Sequence, residues 1–138
     1  MPVEVVEQLP DPRDYFELFR TTGWNDLYGA SQAELADGLR RNWCAVCALD
    51  AGRLVGFGRL LSDGVLYAVV FDMIVAPERR PQGVGARILR HLLDRCAGAG
   101  LRDVLLFSAR GAAGFYEKLG FVRRPGEAPG MILRRRAG

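Results

Sequence analysis

The feature that most constrains the fold is the stretch 65–93, where a strand pattern runs into a glycine turn and then an amphipathic helix. Residues 65–75 are apolar or aromatic at all but one position, as in a strand inside a sheet. The turn contains Gly83 and Gly85, whose lack of Cβ atoms lets a ligand approach the backbone. Free amide hydrogens and the positive end of the helix dipole meet there, so the stretch predicts a phosphate site.

The remaining patterns predict a mixed sheet with helices on both faces. The fold class is therefore α/β or α+β, with a mostly antiparallel sheet that splays at a central parallel strand pair. The chain length favours one domain over residues 1–138. The predicted strands are 3–9, 43–49, 53–61, 65–75, 103–108, 121–123 and 130–135, the last two as a hairpin, and the predicted helices begin at Pro12, Ser31, Gly83 and Gly111.

Composition and charge narrow the classes of partner. The net charge of +3 fits an anionic cofactor as readily as nucleic acid, but the arginine clusters lack interleaved aromatics, so no nucleic-acid partner is expected. Cys44 and Cys47 form one C-x-x-C without a second pair, which favours core packing over a metal site. We expect a cytoplasmic protein, because no leader pattern opens the chain, and no membrane contact, because no apolar run approaches about 20 residues.

Two familiar phosphate motifs do not fit the glycine turn. A dinucleotide-binding G-x-G-x-x-G would need a third glycine where the chain has Ile88. A P-loop would need Gly-Lys-Ser/Thr, which is absent from the sequence. The turn instead reads R-x-x-G-x-G from Arg80 to Gly85.

A second motif, F-Y-E-K-L-G-F from Phe115 to Phe121, follows about thirty residues later with a strand between. Together the two motifs resemble the GCN5-related N-acetyltransferase (GNAT) family, and the resemblance extends over essentially the whole chain. Its phrases S-D-G-V-L-Y-A and F-D-M-I-V are similar to those of the plastid and cyanobacterial branch that acetylates arylalkylamines such as serotonin. The resemblance implies an enzyme that uses acetyl-CoA as acetyl donor and needs no metal.

The resemblance also implies where acetyl-CoA would bind. The turn amides and Arg80 would hold its pyrophosphate, and the backbone of the long strand would hold the pantetheine arm and the thioester carbonyl. Pro81 departs from the family pattern and removes one amide donor. Ser108 is either a cofactor contact or simply a strand terminus. The full predicted cofactor-binding set is Met73, Ile74, Val75, Arg80, Gln82, Gly83, Val84, Gly85, Ala86, Ser108 and Lys118.

The chemistry of direct amine attack on a thioester selects two candidate catalytic residues. Tyr116, from the second motif, can protonate the leaving thiolate; its alternative role is aromatic packing. Asp72 is the one carboxylate within the long strand, so it is either hydrogen-bonded structurally or exposed as a base or amine anchor. His91 is expected to face solvent. Aromatic residues that could line an acceptor pocket, or simply pack in the core, are Trp24, Tyr28, Tyr67 and Phe71.

The sequence therefore predicts an N-acetyltransferase that moves an acetyl group from acetyl-CoA to a primary amine of a small molecule in a ternary complex. A protein N-terminus or lysine remains an alternative acceptor, because loops build that side of such folds. A non-catalytic acyl-CoA-binding regulatory module is the alternative of another class. The expected assembly is a monomer or a homodimer.

Overall fold

The computed structural model describes residues 2–135. The chain divides after Leu105 into two compact units, and each is described by itself. The single domain over 1–138 remains a prediction. The elements in chain order are β1 (Glu4–Glu7), α1 (Pro12–Arg20), α2 (Asn25–Tyr28), α3 (Gln32–Leu39), β2 (Cys44–Asp50), β3 (Arg53–Ser62), β4 (Tyr67–Val75), a 3₁₀ helix (Pro77–Gln82), α4 (Val84–Gly98), β5 (Asp103–Leu105) and α5 (Ala113–Glu117).

The first unit contains a five-stranded sheet in the order β1-β2-β3-β4-β5. The first four strands form an antiparallel meander, whereas β5 returns after α4 and pairs in parallel with β4. That parallel pairing covers only the start of β4, from Tyr67 opposite Asp103 to Val69 opposite Leu105. The predicted fold class, a mostly antiparallel sheet with one parallel pair and helices on both faces, is confirmed, although within the described residues that pair lies at the end of the sheet and not at its centre.

Helix starts follow the capping residues in the sequence. Asp11 caps α1 by accepting from the backbone N–H groups of Arg13 (2.9 Å) and Asp14 (3.1 Å). Ser31 and Glu34 form the predicted capping box of α3, with both bonds at 3.1 Å. These caps satisfy amide groups that a helix end otherwise leaves unpaired, so both helices begin where the sequence predicts.

Helices cover both faces of the sheet. Successive side chains of β3 point to opposite faces and therefore pack against different helices. On one face, Phe57 packs edge-on against Tyr15 of α1, with ring centroids 5.0 Å apart. On the other face α4 lies so close that a Cβ atom on Gly56 would stand 2.8 Å from Ile88. The side chains of Ile88, Leu89 and Leu92 are fully buried there, each contributing on the order of 2 kcal/mol.

Three sequence predictions about strands and loops are wrong. The long strand starts at Tyr67, since the Asp63 carboxylate accepts from the amides of Val65, Leu66 and Tyr67 and holds them in a turn. The strand predicted over 103–108 ends at Leu105. Residues 24–29, for which no helix was predicted, contain α2, and Gly29 caps its end with a φ of 59°.

The predicted hairpin of residues 121–123 and 130–135 is also wrong, because no strand is present in the described part of this segment. Pro125 and Pro129 lie between the two predicted strands, in their predicted connection. The segment instead forms a turn in which the amide of Ala128 donates to Pro125 at 2.9 Å. Its apolar side chains Val122, Met131, Ile132 and Leu133 are each more than 70% exposed, so no buried face fixes a strand register.

Candidate cofactor and active site

The glycine turn lies where the 3₁₀ helix meets α4. Gly83 has a φ of 76°, in the left-handed region that glycine adopts most readily, and no side chain caps the start of α4. The first turn of α4 also has no acidic residue, and its backbone bonding begins only when the amide of Arg87 donates to Gly83 at 3.2 Å. The amides of Val84, Gly85 and Ala86 therefore stand at an open, positive helix end.

Two adjacent arginines at this turn have different roles. Arg79 forms an ion pair with Asp50, and both side chains are mostly buried, so this pair fastens the 3₁₀ helix to the end of β2. Arg80 is exposed and donates through Nε to the carbonyl of Val75 at 3.3 Å. This bond holds the Arg80 guanidinium at the junction of β4 and the turn, where an anion would meet it. Pro81 lies inside the 3₁₀ helix and has no N–H to offer, as predicted.

The edge of β4 that faces β5 is open over its second half. Strand pairing with β5 ends at Val69, whereas the opposite edge continues to pair with β3 through Ile74 and Val75. Within the described residues no strand pairs with the open edge beyond Val69. Backbone groups of Met73–Val75 therefore include donors and acceptors that a ligand lying along the strand could use.

A β-bulge interrupts β4 just before that segment. Phe57 pairs with Ile74 and Arg59 pairs with Phe71, so three residue steps on β4 oppose two on β3. Asp72 lies within the bulge with a φ of 55°, a left-handed conformation that aspartate tolerates better than most residues. The bulge bends the strand and changes which way the following backbone groups point.

The Asp72 carboxylate is held by two donors on one oxygen. Oδ2 accepts from the Tyr15 hydroxyl at 2.8 Å and from Arg59 Nε at 2.7 Å. The Asp72 and Arg59 side chains are only 13% and 19% exposed. Burial, reinforced by the charge of Asp72, raises the pKa of Tyr15 far above its ordinary value, so Tyr15 stays a neutral donor. Of the two sequence alternatives for Asp72, structural bonding is present, and its catalytic role stays a prediction.

Sequence reasoning missed Tyr15 and Arg59 as members of this group. A usable signal existed for Arg59, which is the one charged side chain between Leu54 and Leu61, in a strand paired with that of Asp72. Two opposite charges in adjacent apolar strands predict a cross-strand pair. Tyr15 carried no such signal, because it lies 57 positions from Asp72 and reads as part of an aromatic helix face.

Tyr116 lies in α5, within the second unit. Its ring contacts Phe115 and Phe121 edge-on, with centroid distances of 5.0 and 5.8 Å. Burial raises the pKa of the Tyr116 hydroxyl above its ordinary value of 10.0, so the hydroxyl keeps its proton through neutral and mildly alkaline pH. Ser108 and Lys118 belong to the same unit and are exposed. Ser108 follows the end of β5 and does not belong to a strand.

The four aromatic candidates for an acceptor pocket differ in environment. Trp24 packs edge-on against Phe19 at 5.8 Å, which is core packing. Phe71 is 38% exposed beside the bulge, whereas Tyr28 and Tyr67 are more than half exposed. Neither of two clefts in the first unit, of about 270 and 320 Å³, is lined by any of these residues. Their grouping around an acceptor stays a prediction.

The cysteines are free and buried, and burial raises the pKa of the Cys44 and Cys47 thiols to about 12. Across residues 2–135 no three His, Cys, Asp or Glu side chains cluster in a way that could hold a metal ion. The His91 side chain is partly exposed, and its Nε2 lies 3.4 Å from Oε1 of Glu7. In the same part of the chain, no helix combines the length and the apolar character that crossing a membrane requires.

Comparison with known proteins gives consistent matches. Residues 41–123, which include the bulge, the glycine turn and Tyr116, match the family model of the acetyltransferase (GNAT) domain. The chain is 36% identical over 85 residues to serotonin N-acetyltransferase 2, chloroplastic, from Oryza sativa subsp. japonica, covering 62% of this chain and 42% of that protein. It is 33% identical over 84 residues to GCN5-related N-acetyltransferase 1, chloroplastic, from Arabidopsis thaliana, covering 61% and 43%.

Among solved structures, an acetyltransferase of the GNAT family from Streptococcus pneumoniae superposes with a TM-score of 0.78 at 25% identity. That alignment covers 99% of this chain and 100% of the other. The chain spans about two fifths of the length of the two plant relatives. With the family model matching more than half of its residues, the chain belongs to the GCN5-related N-acetyltransferase family.

Proposed function

We propose that this protein is an N-acetyltransferase that transfers the acetyl group of acetyl-CoA to a primary amine of a small molecule. The observation that carries the proposal is the uncapped glycine turn at the start of α4, placed directly after a strand whose far edge is open. Such a turn supplies unpaired amides for a pyrophosphate, and such an edge supplies backbone partners for a chain-like ligand.

The turn and the strand edge divide the binding of acetyl-CoA between them. The amides from Gly83 to Ala86 bind the pyrophosphate with Arg80 beside it, and an added Cβ at Gly83 would meet no atom within 4 Å, so the approach to that backbone is open. The backbone of Met73–Val75 binds the pantetheine arm and orients the thioester carbonyl. Val84 and Gln82 shape the turn, while Ser108 and Lys118 are further cofactor contacts.

The reaction forms a bond between the amine nitrogen and the carbonyl carbon, and the C–S bond breaks. An alkyl ammonium with a pKa near 10.4 is about 0.1% neutral or less at pH 7, so a proton must leave before the attack. Asp72 binds the amine through the carboxylate oxygen that Tyr15 and Arg59 do not use, and water carries the proton away. After the attack the nitrogen loses its second proton to water, and the leaving thiolate takes a proton from Tyr116, which solvent then restores.

The acceptor is proposed to be a small aromatic amine. Support comes from the similarity to a rice protein described as a serotonin N-acetyltransferase and from Phe71, exposed beside Asp72. An aromatic side chain next to a carboxylate suits an arylalkylamine, whose ring and ammonium group need those two partners. The cytoplasm stays the predicted compartment, and a monomer or homodimer the predicted assembly.

The test is a thiol-release assay with acetyl-CoA and a panel containing serotonin, tryptamine, polyamines, aminoglycosides and peptides with a free N-terminus or lysine. We expect turnover with an arylalkylamine, and a kcat roughly 10²-fold lower for Tyr116→Phe with unchanged acetyl-CoA affinity. If only the peptides are acetylated, the acceptor is a protein N-terminus or lysine instead of a small molecule. If acetyl-CoA binds but no amine is acetylated, the protein is a non-catalytic acyl-CoA-binding module.

A further inference from the structure

A buried polar network joins three separate elements of the first unit to the β4 bulge. Arg59 donates through Nε to Asp72, and through Nη1 to the carbonyl of Gly38 at 3.2 Å and to Oδ1 of Asn42 at 3.0 Å. Tyr15 donates to the same Asp72 oxygen from α1. The bulge is therefore tied through one guanidinium to the end of α3 and through one hydroxyl to α1.

The network is well protected from water. Tyr15 is 1% exposed, and the described residues include no buried side-chain nitrogen or oxygen without a partner. Networks of this kind, when every member is paired, fix one arrangement of the elements they join. Because Arg59 donates from two edges of its planar guanidinium, it links Asp72 to Gly38 and Asn42 through one rigid group.

The residue that the network holds is the bulge residue itself. Asp72 adopts a left-handed φ of 55°, and the residues directly after it are Met73–Val75, the segment with the open edge. A shift of the Asp72 carboxylate therefore changes the backbone directions of that segment. In active sites, a displacement of about 1 Å costs roughly 10²-fold in rate.

We infer that Tyr15 and Arg59 are positioning residues, which act through Asp72 to set the backbone geometry of Met73–Val75 for the reacting thioester. This inference rests on the proposed function and deepens it. Neither residue touches the reacting atoms, so their loss affects the orientation of the thioester and leaves the pyrophosphate turn intact. The predicted signature is a fall in kcat without a matching change in acetyl-CoA affinity.

The experiment compares Tyr15→Phe and Arg59→Gln with the control Arg41→Gln. Tyr15→Phe retains the ring that packs on Phe57, so it keeps the core. Arg41 forms an exposed ion pair with Asp37 at 3.3 Å, which makes it a matched arginine outside the network. We expect kcat to fall about 10-fold in the two network variants, with less than a roughly 2-fold change in the Kd for acetyl-CoA.

Backbone amide chemical shifts of the ligand-free protein give a readout that needs no turnover. In the two network variants we expect the amide shifts of Met73–Val75 to change, while those of Gly83–Ala86 stay as in the wild type. Arg41→Gln should change neither group.

The inference is overturned if the Met73–Val75 shifts stay unchanged in both network variants, or if the turn shifts change as much. If the wild type acetylates no amine, the proposed function fails, but the amide shifts still decide whether Tyr15 and Arg59 position the strand.

Discussion

The β4 bulge and the Gly83 turn contain the same unusual backbone conformation but treat their polar groups in opposite ways. Asp72 has a φ of 55° and Gly83 a φ of 76°. At the bulge, the side chain of Asp72 takes two hydrogen bonds from protein donors, and α1 and α3 contribute to its support. At the turn, no side chain caps the helix, and the glycine offers only backbone.

The two regions differ in whether their polar groups have protein partners before a ligand binds. One oxygen of the Asp72 carboxylate accepts two hydrogen bonds within the protein, so the bulge is a fixed element that sets geometry. The amides at the start of α4 stay available to a ligand, so the free energy of their hydrogen bonds is gained only when that ligand binds. Substitutions at the bulge should therefore mainly affect stability and rate, and substitutions at the turn should mainly affect affinity.

Asp72→Ala should cause the largest loss of stability. It leaves the mostly buried Arg59 and the buried Tyr15 hydroxyl without their acceptor, and alanine is less favourable than aspartate at a φ of 55°. We expect the free energy of unfolding to fall by about 3 kcal/mol. Urea denaturation measures this, with the exposed Asp37→Ala as a control that should unfold like the wild type. Equal behaviour of the two variants would mean that the bulge network contributes little.

Gly58→Ala should cause the next largest loss of stability, because Gly58 lies on β3 across from the bulge. The new Cβ would stand 2.6 Å from Met73 Sδ and 2.9 Å from Ile88 Cγ2, so the packing of these side chains must shift. The expected destabilisation is about 2 kcal/mol. Gly38→Ala is the control, since its Cβ would meet nothing within 4 Å inside α3, and it should stabilise by about 0.5 kcal/mol or more. Thermal denaturation distinguishes them, and a stabilised Gly58→Ala would show that the packing there is loose.

Gly83→Ala and Gly100→Ala compare the two ends of α4. Both glycines have a φ near 75° (76° and 73°), and neither would place a Cβ within 4 Å of other atoms. Each substitution should cost about 1–2 kcal/mol of stability through backbone strain alone. Only Gly83→Ala should weaken acetyl-CoA binding, by about 10-fold, in calorimetric titration. Equal losses of affinity in the two variants would show that the turn is not part of the binding site.

The smallest effect concerns the pH dependence of stability through Tyr15. Its pKa is raised in the folded protein, so unfolded chains lose this proton first, and the stabilisation present below pH 10 is lost as the pH rises further. Between pH 10 and 11 the wild type should lose about 1 kcal/mol more than Tyr15→Phe does. Urea denaturation at both pH values tests this. Parallel pH profiles would show that Tyr15 titrates normally and is not buried against Asp72.

Sequence patterns predicted the turn well and the bulge poorly, and the reason is physical. The boundaries of α4 and the capping box of α3 follow from local signals, namely glycine, serine and glutamate at fixed spacing. The bulge has no such signal, because an almost fully apolar strand gives no alternation from which a register could be derived. Its position depends on Arg59 and Tyr15, which lie 13 and 57 positions away from Asp72.

The final segment shows the same limit. Residues 121–123 and 130–135 contain strand-like apolar runs, but four of their apolar side chains are exposed, so no buried face defines a register within the described residues. The acceptor pocket was equally unpredictable, because exposed aromatics on separate elements do not reveal which of them face one ligand. What could be predicted was therefore the local chemistry, and what could not was the long-range pairing.

We propose that the open turn and the fixed bulge together serve acetyl transfer to an amine. Mass spectrometry of the amine panel after incubation with acetyl-CoA and the wild-type protein tests it most directly. We predict one added acetyl group on an arylalkylamine, with product formation strongly reduced for Tyr116→Phe. Unmodified amines across the whole panel, with acetyl-CoA bound but intact, would contradict the claim.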